Sequence, residues 1–173
     1  EYMQNPVFHG VCARIYGQET PIDCFRAMFM NKPAYEGTYL VWHQDRWTNL
    51  DRDPQITIYT ALDPATVANG CVHLIPRTHR TLVNPSHGSG FLTKEQIESI
   101  VIGSEQVPIE LEVGEVFLLH NWTLHSSGTN ETDIPRRAFS ICYMNGATKS
   151  NNSVAYTRIF GDGALDLAQL RSI

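Results

Sequence analysis

Between residues 22 and 145 every apolar run is short and is closed by a turn signal, a pattern of many strands rather than of a helical bundle. The run Ile22 to Met30 suits a helix or a strand, but Pro33 and Gly37 close it so quickly that a strand is expected. A strand over 38–45 follows. Gln55 to Leu62 is β-branched and aromatic and is ended by Asp63-Pro64; Cys71 to Pro76 follows the tight-turn pair Asn69-Gly70. Val107, Ile109, Leu111 and Val113 alternate with polar residues as on a half-buried strand. Val116 to His120 reads as a buried strand running on to Leu124-His125, and Arg136 to Met144 as the last clear strand. Helices are few. Thr93 with Gln96 three positions on is a helix start, and 164–170 suits a short terminal helix. Residues 1–20, with Tyr2, Phe8 and Tyr16 among polar residues, are expected as the tail of a helical region packed outside the core. The intervening segments 46–54, 77–93, 126–135 and 145–153 are polar loops. Asp51-Arg52-Asp53 lacks the glycine and distal glutamate of a calcium loop, so a solvated turn is expected. The fold class that results is all-β with a few helices, a sandwich or closed barrel, without repeats or an inter-domain linker.

Composition narrows the partners. At 173 residues, 42% apolar and 18% charged, the chain is expected to be one domain with a real core rather than a disordered segment. A net charge of -5 without a basic stripe speaks against nucleic acid and anionic membrane surfaces. No apolar run approaches the ~20 residues of a membrane span, and no signal peptide is recognisable. A soluble, cytoplasmic protein is expected, with an upstream segment removed because the chain opens on Glu1. Cys12, Cys24, Cys71 and Cys142 have neither zinc-site nor disulfide-framework spacing, so reduced and mostly buried thiols are expected. Three glycosylation sequons, at Asn121, Asn130 and Asn151, read as chance matches.

The chemistry lies in Tyr39-Leu40-Val41-Trp42-His43-Gln44-Asp45. On an extended strand His43 and Asp45 share a face, and they supply two thirds of the 2-His-1-carboxylate arrangement that holds non-haem Fe(II). Of the six other histidines, His125 stands out because it sits where an apolar strand breaks into Ser126-Ser127-Gly128, at the rim of a barrel. Arg136, at the start of the next strand, could take a carboxylate through two parallel hydrogen bonds. Ala138, Ser140, Cys142 and Met144 share its face and leave room for a small ligand; Arg137 points away as surface charge.

His43-Gln44-Asp45, Asn69-Gly70-Cys71 through Ile75-Pro76 with Thr78-His79, Gly114-Glu115-Val116-Phe117, and His125-Ser126-Ser127-Gly128 followed by Pro135-Arg136-Arg137 together resemble the phytanoyl-CoA dioxygenase family over roughly residues 22 to 145. The resemblance implies a double-stranded β-helix (jelly-roll, cupin-like) core and an Fe(II)- and 2-oxoglutarate-dependent oxygenase. It puts iron on His43, Asp45 and His125, and the far carboxylate of 2-oxoglutarate on Arg136 with help from Ser127. It places Tyr59, and Met28, along the co-substrate pocket. Dioxygen is the oxidant, and succinate and carbon dioxide are released as a substrate C–H bond is oxidised. A carboxylate at Asp45 favours hydroxylation over halogenation, since halogenating relatives lack it. The substrate implied is a small molecule or a carrier-linked group.

Two departures from the family pattern stand out. Pro76-Arg77-Thr78-His79 replaces the usual Pro-Gly-Ser-His, and the helical region that precedes the barrel is largely absent from these residues. Two other readings fit the residues alone: a non-catalytic jelly-roll binding module with structural histidines, and a cupin-like metalloenzyme that uses no keto acid. Oligomeric state has no sequence signal.

Overall fold

A computed structural model describes residues 1–170, whose strands form two antiparallel sheets facing each other as a jelly roll. In chain order the strands are β1 (Ile22–Lys32), β2 (Leu40–His43), β3 (Ile56–Ala61), β4 (Val72–Leu74), β5 (Val107–Ile109), β6 (Val116–His120), β7 (His125–Ser127), β8 (Arg136–Asn145) and β9 (Thr157–Phe160). Five of them make one sheet in the order β6-β3-β8-β1-β9; the other four are ordered β2-β7-β4-β5. Three α-helical segments accompany them, α1 (Pro6–Tyr16), α2 (Lys94–Gln96, continuing as a wider turn over Ile97–Val101) and α3 (Leu167–Leu170), with short 3-10 turns at Tyr2–Gln4 and Thr78–Arg80. Among the described residues no helix is long and apolar enough to cross a membrane.

The apolar clusters lie outside the two sheets, which leaves the space between the sheets for a site. Ile56 and Ile58 of β3 join Ile141 and Tyr143 of β8 in a cluster that α1 covers with Phe8 and Cys12. The helix starts where Asn5 accepts a hydrogen bond from the Val7 amide at 2.9 Å and Pro6 needs no donor partner. Tyr16 then ties it to the sheet, donating to the Tyr143 carbonyl and accepting from the Gln55 amide, both at 2.8 Å. On the outer side of the smaller sheet, Trp42, Ile75, Leu92, Val101 and Leu124 form a second cluster under the α2 turn. The opposite faces of β3 and β8 carry Thr57, Tyr59 and Ser140 into the interior. Alternation along two strands buried on both faces thus separates core from cavity.

Several expectations need correction. Residues 1–20 do include a helix, but Phe8 and Cys12 make it part of the core, because one face of the larger sheet is otherwise uncovered. The regular strand near 107 stops at Ile109, and Val113 is 61% exposed, since the chain turns at Gly114. Val116 to His120 is a half-exposed edge strand, and His125 opens β7 in the other sheet instead of ending β6. The last strand is β9, which pairs with β1 beyond the loop after 145. Asp53 is not a solvated turn residue: its carboxylate accepts from the Trp47 amide at 2.9 Å and from Trp122 Nε1 at 3.1 Å. Arg137 does point away, yet it is held by Asp63 through two side-chain bonds of 2.7 and 2.8 Å. The four cysteines are free, with Cys12, Cys71 and Cys142 buried.

Candidate metal centre

His43 ends β2 and His125 begins β7, and the two residues are register partners across that antiparallel pair. Their rings lie 4.1 Å apart, centroid to centroid. Asp45 lies just past the end of β2 rather than on it, positioned by its amide, which donates to the Asn121 carbonyl at 2.7 Å. Its two carboxylate oxygens lie 3.8 Å from His43 Nε2 and 3.9 Å from His125 Nε2. One ligand atom from each of the three falls within 4.8 Å of the others.

The tautomers suit a cation. His43 Nδ1 is 2.8 Å from the Val41 carbonyl and His125 Nδ1 is 2.8 Å from the Thr123 carbonyl. A carbonyl only accepts, so each Nδ1 carries the proton and each Nε2 lone pair faces the aspartate. Burial, then the neighbouring His125, pushes the His43 imidazole down to about 4, against the opposing pull of Asp45. His43 is therefore neutral near pH 7, the form that binds a metal. Its ring is packed by Phe91, stacked at 4.8 Å.

The depressed His43 value has a consequence for the metal-free fold. The unfolded chain takes up a proton at this residue below its ordinary value of 6.5, whereas the folded chain resists doing so until about 4. Between those values stability rises with pH, with a slope of at most about 1.4 kcal/mol per pH unit. Chemical denaturation of the metal-free protein at pH 7 and pH 5 should show this loss on acidification, and His43→Gln should lose about 1 to 2 kcal/mol less.

The three side chains open onto a cavity of about 290 Å³ that also receives Arg136, Tyr59, Ser127 and Met28. Arg136 is 1% exposed. It donates from Nη1 to the Tyr59 hydroxyl, has no carboxylate partner among the described residues, and its buried Nε has no hydrogen-bond partner. A buried guanidinium left in that state calls for an anion. Burial and the nearby Arg136 charge together lower Lys32 to about 8; its ammonium donates to the Thr38 carbonyl at 2.7 Å and to the Gly128 carbonyl. The donor set of two imidazole Nε2 atoms and one carboxylate fits a ferrous ion, and the unpaired guanidinium fits the distal carboxylate of a keto acid.

Two features were missed in the sequence. Gln44 is fully buried between the histidine and the aspartate; its amide nitrogen, with two hydrogens to donate, lies within hydrogen-bond distance of the carbonyls of Thr78 (3.3 Å), Thr81 (2.9 Å) and Trp122 (2.5 Å), and its oxygen accepts from the Val83 amide (2.7 Å). It clamps loop 77–93 beside the centre. Arg26, on β1 with Met28 and Met30, also lines the cavity. Strand alternation from Met28 could have found it.

Comparison with known proteins agrees with this architecture. Residues 1–138 match the family model for phytanoyl-CoA dioxygenase, a longer stretch than 22–145. A probable phytanoyl-CoA dioxygenase of Caenorhabditis elegans is 27% identical over 156 residues, covering 84% of this chain and 50% of that protein. The chain thus spans about half the length of this curated relative. The crystal structure of SnoK, a non-haem alpha-ketoglutarate-dependent carbocyclase from nogalamycin biosynthesis, superposes with a TM-score of 0.72 at 18% identity, covering 99% of this chain and 64% of that one. The epimerase SnoN, solved with Fe3+, alpha ketoglutarate and nogalamycin RO, gives 0.69 at 22% identity, covering 86% and 59%. These structural likenesses establish the shared fold. With four fifths of its length matched by the family model, the chain belongs to the phytanoyl-CoA dioxygenase family.

Proposed function

We propose that residues 1–173 form one Fe(II)- and 2-oxoglutarate-dependent oxygenase domain, with its core over 22–145, that hydroxylates a C–H bond of a small-molecule or carrier-linked substrate. His43, Asp45 and His125 are the metal ligands in this reading, and Arg136 holds the distal carboxylate of 2-oxoglutarate. The observation that carries it is the meeting, in one cavity, of two imidazole Nε2 atoms and a carboxylate with a buried guanidinium that lacks an anion. Family membership and the ligands in the SnoN structure support it.

Bound together, ferrous ion and 2-oxoglutarate supply dioxygen activation coupled to decarboxylation of the keto acid, giving succinate and carbon dioxide. The chain's own residues orient and exclude. The carbonyls of Val41 and Thr123 fix the imidazoles, and Tyr59 fixes the Arg136 fork by accepting from it. Ser127 adds a hydroxyl beside the co-substrate position; Met28 and Phe91 contribute apolar wall that keeps water out.

Anaerobic addition of Fe(II) and 2-oxoglutarate should give the weak visible charge-transfer band of the chelate, and aerobic turnover should release succinate. A well-folded sample without the band refutes the proposal and favours a plain binding module or a keto-acid-independent metalloenzyme. Arg136→Ala should weaken 2-oxoglutarate binding by about a hundredfold, from losing a charge-assisted pair, whereas Arg137→Ala, which removes a partner of Asp63, should leave it within about twofold. Equal effects of the two substitutions identify Arg136 as the wrong anchor.

A further inference from the structure

Three guanidiniums line the central cavity, those of Arg26, Arg46 and Arg136, against a single carboxylate, Asp45. Arg136 has a task under the oxygenase reading. Arg26 has none. No hydrogen bond or ion pair engages its guanidinium among the described residues; its one recorded contact is the Trp47 ring, with Cζ 5.5 Å from the centroid. It reaches the cavity because β1 alternates, placing Arg26, Met28 and Met30 along the wall. Arg46 is also under-used: its Nε is buried without a partner, and Nη1 donates to the Pro85 carbonyl.

Charge balance makes the surplus informative. A divalent metal and a dianionic keto acid cancel one another, and Asp45 offsets one guanidinium. Two positive charges then remain in a space walled by Met28, Met30, Phe91, Phe117 and Leu119. Arg26 and Arg46 are half-buried and keep access to solvent, so a ligand that fills the cavity and excludes that solvent must itself bring the counter-charge. Trp47 also holds the Arg26 guanidinium by cation–π contact, which keeps its fork ordered before a ligand arrives. Arg46 and Trp47 line a second cavity of about 550 Å³ as well, so the two cavities share this wall.

We infer that Arg26, braced on Trp47 and aided by Arg46, is the receptor for an anionic oxo group, a carboxylate or a phosphonate, on the primary substrate. Arg26 is thus a substrate-recognising residue, separate from the co-substrate anchor at Arg136. The inference rests on the oxygenase reading for the word substrate, and its test separates the two.

The zinc-loaded protein, saturated with 2-oxoglutarate, is titrated by calorimetry with butanoate, butylphosphonate and the neutral butanamide. Wild type should bind at least one anion about tenfold more tightly than the amide. Arg26→Gln should remove that preference, and Arg26→Lys should restore part of it. Both variants should keep 2-oxoglutarate affinity within about threefold of wild type, which a general loss of fold does not allow. The stronger of the two anions names the group. Intact 2-oxoglutarate binding with anion and amide bound alike, or an anion preference that survives Arg26→Gln, overturns this inference alone. A fall in 2-oxoglutarate affinity in Arg26→Gln as large as in Arg136→Ala reassigns Arg26 to the co-substrate and also overturns it. Failure of wild type to bind 2-oxoglutarate at all removes the parent reading instead.

Discussion

Asp45→Ala should end metal-dependent turnover while leaving the metal-free fold nearly as stable as before. Among the described residues the carboxylate makes no side-chain hydrogen bond, and its ion-pair partners are the two imidazole nitrogens at 3.8 and 3.9 Å. The Asp45 backbone amide, which does hold structure through the Asn121 carbonyl, survives the substitution. Losing one of the three proposed protein ligands should weaken ferrous ion binding by more than about a hundredfold, and succinate release should fall below detection. The discriminating measurement is stability with and without metal under anaerobic conditions. At a ferrous concentration of about a hundred times the wild-type dissociation constant, binding stabilises the wild type by about 2.7 kcal/mol; the variant should gain only about 0.4. Equal gains in the two proteins place the metal elsewhere and refute the triad.

Gln44→Glu should be the most damaging single substitution near the site, although the two side chains are almost the same shape. The Gln44 amide nitrogen points at three carbonyl oxygens, from Thr78, Thr81 and Trp122, in a position without solvent access. A carboxylate there has no hydrogen to offer and sets negative charge against three acceptors. Gln44→Ala removes the two hydrogens that the amide can donate and the acceptor of the Val83 amide, and at roughly 1 kcal/mol for each of these three bonds the loss is about 3 kcal/mol. Gln44→Glu should exceed that at pH 7 and recover in part on acidification, when the protonated acid can donate once. Gly90→Ala attacks the same junction from the loop side. Its φ is +67°, and an added Cβ would lie 1.9 Å from the Gln44 carbonyl oxygen, so the loop must move. Denaturation midpoints read all three, and a stable Gln44→Glu protein contradicts the clamp.

The sequence made the triad legible because two of its members are two residues apart and the third sits beside a turn of small polar residues. Strand logic brought His43 and Asp45 together for the wrong local reason. Asp45 lies beyond the strand end and faces the histidines because Asn121 holds its amide. Arg136 was readable from the small residues that share its face, Ala138 and Ser140, since alternation along a long strand is a strong signal. Gln44 was not, because a glutamine in a polar-looking motif gives no sign that four backbone groups will close around it. The break between β6 and β7 was hidden for a different reason. Leu124 resumes the apolar pattern after Asn121-Trp122-Thr123, yet it is buried in the outer cluster of the other sheet, and those three residues, read as part of one strand, are the turn at the crossing. Phe8 and Cys12 could not be assigned to the core without knowing which sheet face lacked a cover.

The pairing of β2 with β7 is registered at only two positions, Leu40 with Ser127 and His43 with His125, and is irregular between them. That seam is the least zipped part of the smaller sheet, and the histidine pair sits at its end. An ion gripped there would rivet two strands that hydrogen bonds alone join loosely. Chelation should therefore loosen this seam first, with amide exchange quickening around residues 40–45 and 123–127 while β3 and β8 stay protected.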